Sequence, residues 1–209
     1  MAKAKLENEA YYTPPWCVRA LLKVWQPPSC HGIWVEPAVG SGNIVRAMNE
    51  CYPAQDWWGC DINPSRPAAR CEPRKLLVET LDFLTFRTAQ TAANWLGNGT
   101  RETLASLVMT NPPFSLAGRF LARSRELFPN AYIMLLLRLG FLSSKDRSTL
   151  WPKYGEPDLY ILANRPSFTE DGETDKYDYA WYGFPAIPRS QGTTCHLPSM
   201  SLDERQRGF

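Results

Sequence analysis

Short apolar runs alternate with segments of helical periodicity along most of this chain, and that alternation limits its fold more than any other feature. The spacing predicts strands at 32–37, 57–62, 104–110, 131–137, 159–162 and 177–184, with a short third element at 81–84. It predicts helices at 16–24, 43–52, 115–128 and 144–151. The run from Ala131 to Leu137 is the longest uninterrupted apolar stretch and suits the middle of a sheet buried on both faces. Strands alternating with helices point to a doubly wound, mostly parallel α/β sheet in one domain.

Composition removes several classes. At 209 residues a chain buries roughly 70% of its unfolded surface, so no disulfide or metal staple is required. No apolar run approaches the ~20 residues of a membrane helix, and the polar N-terminus does not read as a secretory signal. A cytoplasmic protein, in a bacterium or a phage-infected host, with no membrane partner is therefore expected. The six cysteines contain no Cys-x-x-Cys pair, and Cys30-His31 and Cys195-His196 are too closely spaced for a zinc site, so no metal is expected. Eight tryptophans and eighteen prolines exceed ordinary usage. Trp34, Trp57 and Trp58 read as core, while Trp181 stays open.

In open α/β sheets ligands bind beyond the carboxyl ends of the strands. Here those ends carry unusual residues. Glu36-Pro37-Ala38-Val39-Gly40-Ser41-Gly42-Asn43 closes the first strand with an acid and a Gly-x-Gly turn that lets backbone amides approach a ligand. Asp61 ends the second strand, where a carboxylate can accept from both hydroxyls of a ribose. Asp82-Phe83, placed at the end of the third, sets an acceptor beside an aromatic ring. Three acidic strand ends suit a nucleoside and repel a phosphate. The fourth strand stops at Asn111-Pro112-Pro113-Phe114: a carboxamide, a proline carbonyl and a ring on one rigid turn. Two converging acceptors beside a stacking face can orient a planar amine without a strong general base.

Together with Tyr11-Tyr12-Thr13-Pro14-Pro15, these segments resemble the ordered motifs of the S-adenosylmethionine-dependent N6-adenine DNA methyltransferases of bacteria and phages. Arg165-Pro166-Ser167-Phe168 through Tyr179-Ala180-Trp181-Tyr182-Gly183-Phe184 is similar to a late motif of phage-type members. The motif order resembles the gamma arrangement. The resemblance implies a Rossmann-like class I methyltransferase fold, a mostly parallel doubly wound sheet of about seven strands with an antiparallel C-terminal strand. It further implies that S-adenosyl-L-methionine is the cofactor. Tyr12, Thr13 and Pro14 would sit at its methionine end, with Glu36, Pro37, Ala38, Gly40 and Gly42 lining the same part. Asp61 would hold the ribose, Ile62 would pack on the adenine, and Asp82 and Phe83 would take the adenine amine and ring. Asn111, which also faces the cofactor, and the Pro112 carbonyl would accept from the target amine. Pro113 would stiffen the turn. Phe114 would stack on a flipped base and Phe168 would close its other face.

The resemblance covers residues 11–185, leaving 1–10 as a mobile N-terminus and 186–209 as a polar tail. With no segment after 185 assigned to target recognition, either relaxed specificity or a partner chain is expected. Residues 115–153 carry seven basic residues against two acids, although the net charge is only +2. Arg119, Arg123, Lys145 and Arg147 are therefore expected to follow a phosphate backbone; a solvated arginine face is the plainer reading. Two alternatives stay open: methylation of RNA adenine or of a protein glutamine amide, and a cofactor-binding or regulatory module without catalysis.

Overall fold

A computed structural model describes residues 12–63, 76–85, 105–168 and 174–206. Tyr11, the expected mobile N-terminus and the surface excursion expected at 87–103 lie outside them. The strands are β1 (Ile33–Glu36), β2 (Trp57–Asp61), β3 (Leu76–Thr80), β4 (Ala105–Thr110), β5 (Tyr132–Arg138), β6 (Asp158–Ile161), β7 (Tyr179–Phe184) and β8 (Thr194–His196). The helices are α1 (Pro15–Leu22), α2 (Asn43–Asn49), α3 (Ala117–Leu127), α4 (Leu150–Tyr154) and α5 (Leu202–Gln206), with 3-10 turns at Phe114–Leu116 and Leu139–Phe141.

The strands form one sheet in the order β3-β2-β1-β4-β5-β7-β6-β8. All pairs are parallel except β7 with β5 and β7 with β6. The expected mostly parallel α/β sheet is present, with eight strands and with β7 as its antiparallel member. Apolar clusters cover both faces: Trp34, Trp57 and Trp181 lie in one, Trp58, Phe83 and Tyr182 in the other. Trp34, Trp57 and Trp58 are core residues as expected, and Trp181 joins them fully buried, its indole N–H donating to the Cys17 carbonyl at 3.0 Å. Strand β5, predicted to be central, is buried along its length apart from Tyr132 and Arg138 at its ends.

Three expectations shift. The third strand is Leu76–Thr80 rather than 81–84; Asp82 begins the following turn, where its Oδ1 accepts from the Leu84 N–H at 2.9 Å. That carboxylate satisfies the turn's backbone, which is the ordinary preference of Asp at such positions. The helix expected at 144–151 is displaced to α4, and Ser144 instead heads a turn accepting from the Arg147 and Ser148 N–H groups. The segment read as a polar tail adds the edge strand β8 in parallel beside β6, and buries Leu197 and Met200 in the core. Buried Asp158 makes this possible. It accepts from the Thr193 N–H (2.9 Å), the Thr193 hydroxyl (2.7 Å), the Tyr132 hydroxyl (3.2 Å) and the Arg189 guanidinium.

Candidate active site

Strand β1 delivers Glu36 to a cleft. Tyr12, Thr13, Ala38, Val39, Gly40, Ser41, Asn43, Ile44 and Asn111 complete its walls. The turn between β1 and α2 passes through left-handed backbone at Gly40 (φ 52°) and Gly42 (φ 76°), a conformation that side-chain-bearing residues rarely hold. Asn43 opens α2 and crosses the cleft, donating from its amide to the Thr13 carbonyl at 2.8 Å. The segment before α1 is thereby pinned over the glycine turn.

Glu36 is 1% exposed, and its Oε2 has no hydrogen-bond partner among the described residues. Burial raises its pKa well above the usual carboxylate range, and the charge of Asp61 adds to this; the Val45 N–H opposes it. A buried acceptor of this kind is costly when empty. It would be satisfied by a donor such as an α-amino group in the cleft. Asp61 at the end of β2 accepts from the Gly40 N–H (2.8 Å) through Oδ2 and from the Asn63 N–H (2.9 Å) through Oδ1. Those two bonds leave carboxylate lone pairs for hydroxyl donors. Ile62 beside it is 58% exposed. Pro14 and Pro37 are buried supports of the cleft's two loops.

The Asn111 turn ends the neighbouring β4. Asn111 is buried at the cleft wall, Pro112 is buried, Pro113 is exposed, and the Leu116 N–H closes on the Pro113 carbonyl at 2.8 Å. Phe114 follows, half-buried, with Tyr179 at 5.6 Å and Phe168 at 6.2 Å between ring centroids. The sheet order sets β1 directly between β2 and β4, so Glu36, Asp61 and the Asn111 turn converge from adjacent strands.

Several expected residues are placed differently. The Phe83 ring is 1% exposed and stacked on Phe120 at 5.4 Å, so it is core and offers no open face to a ligand. Asp82 is exposed, with Oδ1 committed to its own turn. Phe168 is 4% exposed and meets Phe114 edge-on at 67°, so it does not stand as a parallel second jaw. Among the four basic residues, Arg119 and Lys145 are exposed, whereas Arg123 pairs with Glu126 at 2.8 Å. Arg147 donates to the Phe141 and Gly140 carbonyls at 2.8 and 3.0 Å, which gives it a role in holding a loop.

Sequence reasoning did not assign Asn43, whose signal was its position directly after the glycine turn. It also did not assign Arg138, the charge that ends the most apolar strand. The Arg138 guanidinium lies 4.7 Å from the Phe114 ring centroid and 4.0 Å from that of Tyr177.

The architecture matches solved methyltransferases. A class I S-adenosylmethionine-dependent methyltransferase of Listeria monocytogenes, itself described as putative, superposes over 93% of this chain and 69% of its own, at a TM-score of 0.62 and 13% identity. The fold is that of the class I S-adenosylmethionine-dependent methyltransferases. The methyltransferase subunit of a type I restriction-modification system from Streptococcus thermophilus superposes over 95% of this chain at a TM-score of 0.65 and 12% identity. This chain spans about half of that subunit, 52% of its length. A putative RNA methyltransferase from Pyrococcus horikoshii gives a TM-score of 0.58 at 14% identity, over 88% of this chain and 90% of its own. No family model matches the sequence, and no curated protein matches it. Among the described residues no helix is long and apolar enough to cross a membrane, and no cluster of three or more metal-ligating side chains is present.

Proposed function

We propose that this chain transfers a methyl group from S-adenosylmethionine to the N6 amine of adenine in DNA, acting on a base that has left the stack. One observation carries the reading: Asn111 of the Asn-Pro-Pro-Phe turn lines the same cleft as Tyr12, Thr13, Glu36 and Gly40. The turn proposed to orient the amine and the residues proposed for the cofactor's methionine end therefore line one cleft.

The residues fit the cofactor. The open Oε2 of Glu36, with Thr13 and the Gly40–Gly42 backbone, would hold the methionine end; Asp61 would take the ribose hydroxyls, and Ile62 the adenine face. Bound there, the cofactor supplies a methyl group on a positively charged sulfur. Asn111 Oδ1 and the Pro112 carbonyl accept the two N–H bonds of the target amine, which leaves the nitrogen lone pair pointing out of the ring plane. Asn111 and Pro112 are buried; orientation with partial charge makes the amine nucleophilic without a strong base, and the proton it sheds on methylation goes to solvent.

The type I restriction-modification neighbour supports DNA as the polymer. The Pyrococcus neighbour, matched over most of its length, favours RNA adenine as the second reading. The test is transfer of tritiated methyl from the cofactor to unmethylated DNA, structured RNA and protein, with nuclease digestion identifying the labelled material. Label in DNA that vanishes with Asn111→Ala is the expected result. Label confined to RNA or protein, or unchanged by the substitution, overturns the reading.

A further inference from the structure

Phe114 has a neighbour that the proposed reaction has to move. The Arg138 guanidinium lies over its ring at 4.7 Å and over the Tyr177 ring at 4.0 Å. Elsewhere Phe114 meets Phe168 edge-on and Tyr179 at a tilt. Phe168 is sealed in the core, whereas Tyr177 is 41% exposed. The guanidinium is held from the side. Its Nε donates to the Tyr179 hydroxyl at 3.0 Å, and its terminal nitrogen meets Asp175 at a long 3.4 Å. Tyr179 donates in turn to Asp175 at 2.7 Å, and Asp175 also accepts from the Tyr177 N–H at 3.2 Å. The Asp175 N–H donates to the Pro166 carbonyl at 2.9 Å, and Arg165 pairs with Asp178 at 2.8 Å, so the strap carrying Tyr177 is tied back to the segment before Phe168.

A guanidinium is planar and delocalised and stacks on aromatic faces much as a nucleobase does. We infer that the Arg138 guanidinium is a displaceable placeholder for the target heterocycle, and that Tyr177 rather than Phe168 is the outer wall of the base slot. The exchange is balanced, because cation–aromatic contact at a partly exposed site and base–aromatic stacking are of comparable strength. After displacement, Asp175 and the Tyr179 hydroxyl keep hold of the cation at the rim. Such a slot selects a flat, neutral ring and gains little from an aliphatic amide, so it favours a nucleobase over a glutamine side chain. The inference rests on the nucleobase reading proposed above.

The test uses the full chain loaded with S-adenosylhomocysteine, which prevents turnover, and a mixed-sequence single-stranded oligonucleotide with 2-aminopurine in place of adenine. Stacking on an aromatic ring quenches 2-aminopurine fluorescence. Tyr177→Ala is expected to weaken the quenching titration about ten-fold, whereas Tyr177→Phe, which keeps the ring, matches the natural protein. Arg138→Lys keeps the charge but loses the flat group, and is expected to reach half-saturation at several-fold lower protein. Affinity for S-adenosylhomocysteine, unchanged in all three, shows that they are folded. Should Arg138→Lys fail to fold, Tyr177→Ala against Tyr177→Phe decides alone. Tyr177→Ala indistinguishable from the natural protein, or Arg138→Lys weakening the titration, overturns the slot while leaving the adenine reading intact. No quenching by the natural protein, with S-adenosylhomocysteine still bound, overturns the slot, while the adenine reading stands or falls by the methyl-transfer assay with Asn111→Ala.

Discussion

Glu36 shows how one residue can be expensive for the fold and useful to the site. Its raised pKa means that the folded state resists the charge the unfolded chain carries freely. The cost is absent while the carboxyl is protonated in both states. It begins as pH rises through the ordinary carboxylate range and is complete above the folded-state value. Glu36→Gln is therefore expected to melt no lower than the natural protein at pH 5, and to gain stability relative to it as the pH rises towards 8. Thermal unfolding across that range checks this, and parallel curves for the two proteins would contradict it. The same variant is expected to bind the cofactor more weakly, because Oε2 is the acceptor proposed for the methionine end. Asn111 fails in the other direction. On the proposed reaction, removing one of the two acceptors that would hold the reacting amine is expected to lower the rate of methyl transfer by ~10²-fold or more. Melting temperature moves little by comparison. Both residues were legible as types at strand ends. What the sequence could not carry was which ring faces what: Phe83 and Phe168 satisfied the same pattern as Phe114, yet packing spent both on the core.

Elements are fixed by satisfied backbone as much as by apolar periodicity, and the end of the chain illustrates it. Residues after 185 are polar and proline-rich, so periodicity offered nothing. Other signals were nevertheless present. Ser201 and Glu204 form a capping box at the start of α5: the Ser201 N–H donates to Glu204 (2.8 Å) and the Glu204 N–H to the Ser201 hydroxyl (3.3 Å). Glu204 also pairs with Lys23 just beyond α1 at 2.8 Å, which joins the last helix to the first. Burial alone would raise the Asp158 carboxyl, but the Thr193 hydroxyl and N–H, Arg189 and Tyr132 outweigh it and hold the group below the usual range. A depressed carboxylate stabilises the fold above its unfolded pKa, and that contribution is lost as pH falls through the folded value. Asp158→Ala is expected to cost about 3 kcal/mol at neutral pH, measured by denaturant unfolding, and the difference should shrink as the pH is lowered through the acid range. A difference that holds constant down to acid pH would remove the carboxylate from this account. Strand β3 was missed for a related reason. Charged and proline residues immediately precede Leu76, so the apolar run looked too short, and Asp82 drew the boundary into the turn that it caps.

At the scale of the whole molecule, the sheet accounts for both ends of the described chain. Tyr12 and Thr13 wall the cleft, while Leu197 and Met200 pack into the apolar layer that contains Trp16 and Trp181. Removing the chain after residue 185 should therefore do more than trim a surface: it strips β8 from the sheet edge and exposes that layer. The truncated protein is expected to lose cooperative unfolding or to aggregate, which calorimetry and light scattering would read. A truncation that melts like the full chain would return these residues to the status of a tail. The same accounting bears on target choice. Among the described residues, those after 185 supply the edge strand β8, the buried Leu197 and Met200 and the Glu204 pair with Lys23, and Arg123, Arg138 and Arg147 are engaged within the molecule. Arg119 and Lys145 remain exposed as candidate phosphate contacts, and a few such contacts give affinity without reading sequence. Among the described residues, base identity would then rest on the slot proposed at Phe114. Purified chain acting on genomic DNA is accordingly expected to mark adenines in a short or loosely defined context, with activity falling steeply as salt rises. Mapping the methylated positions decides the matter. A long fixed motif produced by this chain alone would mean that base-reading contacts exist which these surfaces do not supply, whereas a motif that lengthens only with a second protein present would assign recognition to that partner.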